Sequence, residues 1–521
     1  MQISQILIDL AVANPVIYGL VIALPVVGGM VAHYLFFNTR FDALKAIPGP
    51  KPTHWLYGSL KEIMDTKWSD GHYPEPALSW VKKFGGAVHF RYSLGHRVLL
   101  TDPEALKHVF VTNADNYPRD FAVRGNLRDL TGGDGLLSTE GETHHHQRKM
   151  LTPLFTHAKV KEFINIFADH TQHLVSHLTP VVDAGTPVDM LEMLTKMSLD
   201  IIGVAAFGYK FGSLKNENER VIEAYKVMNE PHDLLHFVGA LLIPGFRSWP
   251  LPRLIRRRQA KRMLYEAVDN VIATKLKTPT APSASKDLLD LMLDGEHTVS
   301  AEEARTHVMT FMLAGHETTS CTLAWVLAML ATHPTAEATV RAECRQAAAK
   351  HGKTIGWSAL GELKYVLALI QETLRLYPSV SLLAPRLCMQ DDLLPMADGK
   401  PYRVPKGTVT TVNVGALHRN PKYWTQPNEF ILDRFVDGSA TFAADKALRG
   451  GHGNTYYYMP FSTGPKNCIG MRFAMAELQV VVANLVLNHT FKLTQDANIN
   501  PMAAGITIKP VALAMTIESV A

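Results

Sequence analysis

The chain has 521 residues, 47% hydrophobic and 19% charged, enough apolar material for a large buried core. A formal net charge of +4 spread over the whole chain gives no polyanion-binding tail and sets nucleic acid aside. The four cysteines, Cys321, Cys344, Cys388 and Cys468, fit neither a disulfide framework nor a CxxC zinc site.

In chain order, the first feature is Leu10 to Thr39, which contains no Asp, Glu, Lys or Arg. As a helix it is long enough to cross a hydrocarbon core about 30 Å thick. Pro25 and the Gly28–Gly29 pair are tolerated in such a helix, and Tyr18, Tyr34, Phe36 and Phe37 suit its interfaces. Arg40, Lys45 and Lys51 follow the run while only Asp9 precedes it, so the remainder is expected on the cytosolic side. A cleaved signal peptide is the competing reading, but no basic residue precedes Arg40. The proline-rich IPGPKP reads as a stiff spacer. These features divide the chain into an anchor and flank (1–46), a hinge (47–54) and a catalytic body (55–521).

Within the body, AVHFRYSLGHRVLLTD alternates like a β-hairpin turning at Leu94-Gly95. TGGDG, Thr131 to Gly135, lacks the strand–turn–helix context of a nucleotide loop. Helical periodicity dominates from His144 to about Lys350. GETHHHQRKM carries three consecutive histidines, whose side chains point in different directions on a helix and cannot converge on one ion. Val308 to Thr332 is apolar nearly all round, as befits a helix in the middle of a core, yet AGHETT, Ala314 to Thr319, interrupts it. A carboxylate and hydroxyls there are costly unless used or satisfied. Threonines that bond back to carbonyls and bend the helix are the plainer explanation. Leu360 to Leu376 forms a further expected helix, with Glu372 and Arg375 on one face.

PFSTGPKNCIG, Pro460 to Gly470, places one cysteine on a glycine- and proline-rich turn just ahead of a long apolar helix. A turn closing onto a helix N-terminus aims N–H groups at the sulfur and is expected to lower its pKa. Gly464 and Gly470 are expected to let the backbone fold around it, and Phe461 to cover it. Such a soft, shielded thiolate suits a metal ligand.

Phe461-x-x-Gly464-x-Lys466-x-Cys468-x-Gly470 resembles the heme-binding loop of the cytochrome P-450 heme-thiolate monooxygenases, most like fungal members of the microsomal type. Lys466 departs from the family's usual Arg, keeping the charge but losing the bidentate fork. The resemblance runs from about Pro48 to Pro510. It implies a mainly α fold with small β-sheets (α+β): one large helical domain behind the N-terminal transmembrane helix. It implies heme b (iron protoporphyrin IX) with Cys468 as the iron ligand. His144, Arg148, Arg386 and Lys466 would meet the propionates. Ala314, Gly315, Glu317 and Thr318 would form the oxygen-activation stretch, Thr318 steadying bound oxygen and Glu317 relaying protons. Glu372, Arg375 and Arg434 (the last in PNEFILDRF, where Leu432 and Asp433 replace the common Pro and Glu) would form a structural triad. A lipophilic substrate would meet Phe121 to Leu127, Phe311, Ala314, Val380 to Leu383 and Ala504 to Ile506. NADPH would act only through a partner reductase, an NADPH–cytochrome reductase, with cytochrome b5 as a further donor. Arg148, Lys149, Lys466 and Arg472 would offer a basic docking face. Phe237 to Arg258 would dip into the membrane or form an ordinary amphipathic pair. The implied site is the endoplasmic reticulum membrane, single-pass, body in the cytosol. Competing functions are a reductase-independent peroxide isomerase on the same scaffold and a membrane-anchored heme-binding or sensing protein.

Overall fold

A computed structural model describes residues 23–33, 41–93, 95–215, 217, 219–230, 239, 243, 245–278, 286–293 and 299–520. Its axis is the helix Ala301–Thr332. Ser300 caps it, accepting a bond from the Glu303 N–H, and Glu302 and Glu303 favour the positive end of its dipole. From Leu323 to Leu330 no residue is more than 4% exposed, so this half is sheathed in protein on every side. The central helix packs against Met190–Phe207, Lys364–Leu376 and Met471–Asn488.

Met471–Asn488 is apolar enough to cross a membrane by composition, but 61% of it is buried inside the body. It lies against the helices His157–Ala184 and Pro334–His351, with Phe473 set edge-on to Phe163 and Phe167 at 5.6 and 4.9 Å between ring centres. The cysteine turn is thus the approach to one of the most firmly packed helices.

The hairpin forms with Ala87–Tyr92 antiparallel to Gly95–Leu100, Ala87 opposite Leu100. Val409–Thr411 adds in parallel and Arg386–Leu387 closes the four-stranded sheet. Smaller antiparallel sheets are built from Val188–Asp189, His489–Leu493 and Ala514–Ser519, from Asn498–Ala504 with Thr507–Ala512, and from Asp392–Leu394 with Tyr402–Val404. The architecture is mainly helical with small sheets.

One helix differs from expectation. Leu360 to Leu376 is split into Trp357–Leu360 and Lys364–Leu376. The Glu343 carboxylate on the neighbouring helix accepts the N–H groups of Tyr365 and Val366, fixing a fresh N-terminus there. At the other end of the chain, Phe41, Leu44 and Ile47 are buried with the sheet residues Val98 and Leu100, and His89 donates its N–H to the Pro48 carbonyl. Ala23–His33 is helical and exposes Leu24, Val26, Val27, Met30 and Val31. The rest of the apolar run, with Tyr18, Tyr34, Phe36, Phe37 and Arg40, lies outside the described residues, as do Leu94 and much of Phe237 to Leu242.

Candidate active site

The turn before Met471–Asn488 is shaped by close approach. Gly464 has φ +75°, and a Cβ there would fall 2.0 Å from the Phe110 carbonyl oxygen. The Cys468 N–H donates to the Phe461 carbonyl at 2.9 Å, closing the turn. Phe461 packs against the main core and Cys468 is exposed beside it. Gly470 differs from expectation: its φ is −83° and no protein atom lies within 4 Å of a would-be Cβ, so protein crowding does not require glycine there. The expected lowering of the thiol pKa is also corrected. Neighbouring protein desolvates the sulfur and pushes the thiol up; the Gly470 N–H and the Arg148 charge oppose this without overcoming it.

Cations gather around this turn. Arg148 donates to the Asn467 carbonyl oxygen at 2.6 Å and to its Oδ1 at 2.7 Å, bracing the residue next to the cysteine. Lys466 pairs with Glu140, which also accepts from Arg119 Nε at 2.7 Å. Burial works to raise the Glu140 pKa, but Arg119 and Lys466 more than offset it and hold the carboxyl below its ordinary value. Arg119 further donates to the carbonyls of Leu136, Leu137 and Thr139, tying down the loop ahead of the helix Gly141–Leu151. His144 on that helix is buried, and desolvation with the charges of Arg119 and Lys466 pushes its imidazole down to about 4, leaving it neutral at pH 7.

Arg386 is the exception among these cations. It is 6% exposed, bridges Arg119 across the strand edge, and lies over the Phe110 ring at 4.9 Å. Its Nε is buried without a hydrogen-bond partner. Burial, then the nearby Arg119, lowers its pKa to about 10. A buried guanidinium left this way is costly unless an anion meets it.

On the central helix, Ala314, Gly315, Glu317 and Thr318 are only half-buried while their neighbours are covered. Glu317 accepts from Thr507 Oγ1 at 3.0 Å, and burial raises its pKa. Thr318 donates to the Ala314 carbonyl at 2.8 Å and Thr319 to Gly315 at 2.9 Å, the back-bonding weighed for this stretch. The bare face of Gly315 is filled by Ile202, whose Cδ1 would lie 2.8 Å from a Cβ there. It therefore lets the helix Met190–Phe207 approach. His316 turns away from this face: its Nδ1 lies 3.1 Å from the Tyr225 hydroxyl and 3.2 Å from the Met312 carbonyl.

Glu372, Arg375 and Arg434 meet in a wholly buried cluster. Arg375 forks onto Glu372 at 2.7 and 2.9 Å, and Arg434 Nε reaches the same carboxylate at 3.1 Å. Asp445 completes it, 2.7 Å from Arg434 Nη1. Exposed apolar residues from three segments expected at a substrate are Phe121, Leu382 and Ile506. Phe311 is instead buried edge-on against Phe155, because its face of the helix is covered by core. A separate polar cleft of about 560 Å³ lies by Arg128, Asp129, Lys261 and Glu302, and touches none of the cysteine-side residues.

A reachable cysteine on a rigid turn, a neutral buried histidine and a buried guanidinium with an open donor fit one kind of cofactor. An iron porphyrin offers a metal for the sulfur, carboxylates for the cations and an apolar disc for the surroundings. Fold and site together define a heme-thiolate oxidoreductase. The cytochrome P450 family model matches residues 48–516. Cytochrome P450 4A6 from Oryctolagus cuniculus is 31% identical, over 86% of this chain and 85% of the relative. Cytochrome P450 monooxygenase 205 from Postia placenta is 30% identical over 86% of each. A crystal structure of a cytochrome P450DA heme domain superposes with TM-score 0.75 at 24% identity, covering 91% of this chain and 98% of that one, which establishes the fold alone. The chain belongs to the cytochrome P450 family and is a heme-thiolate monooxygenase.

Arg119, Glu140, Asn467, Asp445 and Tyr225 were missed from sequence. Each acts through a partner elsewhere in the chain; Asn467 sat inside the cysteine motif and Glu140 four residues before His144, but neither showed its partner in the sequence.

Proposed function

We propose that this monooxygenase inserts one atom of O2 into a lipophilic organic substrate with electrons passed from NADPH by a separate membrane-bound reductase. It would work at the endoplasmic reticulum membrane, with 1–46 as anchor and flank, 47–54 as hinge and 55–521 as the cytosolic catalytic body. The observation that carries this reading is the half-buried carboxylate–hydroxyl pair, Glu317 and Thr318, which with Ala314 and Gly315 opens a helix otherwise covered from Thr306 to Leu330. The bound heme would supply iron for oxygen activation, ligated by Cys468.

The chain's own residues have separable tasks in this reading. Arg148 holds Asn467 and thereby the sulfur's approach. Arg386 and neutral His144 would hold the carboxylates of the cofactor. The exposed Phe121, Leu382 and Ile506 exclude water from a lipophilic ligand. Glu317, with its raised pKa, exchanges a proton more readily near neutrality than an exposed carboxylate, and Thr507 fixes its orientation. Thr318 is placed to hand on a proton once its hydroxyl leaves the Ala314 carbonyl. The face bearing Lys149 and Arg472 would receive the reductase or cytochrome b5.

Purified protein in vesicles with NADPH–cytochrome reductase is the test. The reduced, carbon monoxide-bound spectrum of wild type should carry the red-shifted thiolate band, and Cys468→Ser should lose it. Oxidised product from lipophilic compounds should require both NADPH and reductase. Turnover of an organic peroxide with neither would point to an isomerase; ligand binding without product would point to a sensor.

A further inference from the structure

Lys466 stands where the family's usual residue is arginine, and the structure shows what accompanies the change. Its ammonium meets the Glu140 carboxylate, and both side chains are about nine-tenths buried. The other oxygen of that carboxylate takes the Arg119 Nε at 2.7 Å and the Arg119 backbone N–H at 3.2 Å. Arg119 in turn grips three carbonyls of the loop leading to His144, so the carboxylate cannot swing away without that loop. Arg386, next to Arg119, feels the Glu140 charge, but the direct contacts to that carboxylate come from Arg119 and Lys466. Lys466, Arg119, Arg386 and His144 thus gather around one fixed negative charge, and that charge is already paired to Lys466 and Arg119.

We infer that Lys466 is committed to Glu140 and does not hold a heme propionate, so that Glu140 is a positioning residue that neutralises the lysine and leaves Arg386 and His144 as the carboxylate donors. Lysine suits this task. A compact point charge satisfies one carboxylate oxygen, whereas the wider arginine fork would compete with Arg119 for both. The inference rests on the heme-thiolate reading.

A double-mutant cycle over Glu140 and Lys466 tests it, read as the rate of heme transfer from the holoprotein to excess apomyoglobin. Lys466→Gln should release heme about tenfold faster, because the buried Glu140 charge is then left to Arg119 alone. Glu140→Gln/Lys466→Gln should return to the wild-type rate, since the stranded charge is gone. Heme release from the double variant no slower than from Lys466→Gln would overturn the inference: Lys466 would then be holding a propionate directly. The apoprotein gives an independent readout. The two substitutions should couple in its thermal midpoint without any heme present, and additivity there would also overturn the pairing. If Glu140→Gln does not fold, Lys466→Arg substitutes for it. Heme release unchanged from or faster than wild type supports the inference; release slowed below wild type means the position faces the propionates and refutes it. Failure of the underlying reading is distinguishable, because wild type would then show no thiolate spectrum before any variant is made.

Discussion

Two buried charge clusters in this protein differ in one respect. Around Glu372 the two guanidinium groups that meet its carboxylate are closed by protein. Arg375 reaches Glu372 and the carbonyls of His418, Pro427 and Glu429, while Arg434 reaches Glu372, Asp445 and the carbonyls of Thr425 and Gln426. Beside the cysteine turn the cluster is left open: Arg386 keeps a buried donor without a partner. Closed charges specify the fold. Arg419 and Arg449 also keep buried donors without a partner, so it is the open donor together with the neighbouring cysteine turn and neutral His144 that marks where something else binds. Burial alone does not separate the two, because Arg386 is nearly as covered as Arg375.

The largest effect should come from breaking the closed cluster. Glu372→Ala strands two guanidinium groups that are fully buried. Removing one partner of such a pair costs about 3–5 kcal/mol. Chemical unfolding should show the loss equally in apo- and holoprotein, because no ligand contributes to this cluster. A loss confined to the holoprotein would mean the cluster serves the cofactor and would erase the distinction.

The open cluster should respond with opposite signs. Arg386→Met removes a charge whose desolvation the nearby Glu140 carboxylate offsets only in part, so the apoprotein should become more stable. The holoprotein should lose a charged hydrogen bond worth about 1.5–3 kcal/mol, or roughly ten- to a hundredfold in heme retention. Thermal midpoints with and without heme, measured side by side, would reveal the crossover. Destabilisation of both forms by the same amount would make Arg386 an ordinary structural cation.

The two clusters were unequally legible in the sequence. The spacing of Phe461, Gly464, Lys466, Cys468 and Gly470 is local, and so is the Glu372–Arg375 pair, so motif and helix geometry were enough to find them. Arg434 lay far along the chain and needed the family resemblance. Asp445, Arg119 and Glu140 carry no local pattern; their roles exist only once distant segments fold together. Gly315 illustrates the opposite failure. Its place in the oxygen-activation stretch was legible, but the atom occupying its bare face, Ile202 Cδ1, belongs to another helix and no periodicity announces it. The thiol pKa failed for a related reason: the helix N-terminus is visible in sequence, whereas the desolvation that outweighs it is set by packing.

The smallest effect concerns two buried histidines, one in the closed cluster and one behind the oxygen-activation stretch. His418, in the closed region, accepts the Met459 N–H on Nε2 at 2.8 Å, and burial followed by the Arg375 charge lowers its pKa to about 3. His316, behind the oxygen-activation stretch, is lowered to about 4 by burial alone, the Met312 carbonyl pulling weakly the other way. Both are neutral in the folded protein down to these values, while in the unfolded chain each takes up a proton below 6.5. The unfolded state therefore binds more protons as pH falls, and stability present above 6.5 is lost on the way down to the folded-state values. One pH unit below its ordinary value, each histidine's share is about 1 kcal/mol. His316→Gln should flatten its part of the midpoint-against-pH curve, and Tyr225→Phe should leave that slope in place, because burial rather than the tyrosine holds the ring neutral. Loss of the slope in Tyr225→Phe would instead make the Tyr225–His316 bond the controlling contact, and with it a link between the helix Glu219–Asn229 and the carboxylate–hydroxyl pair.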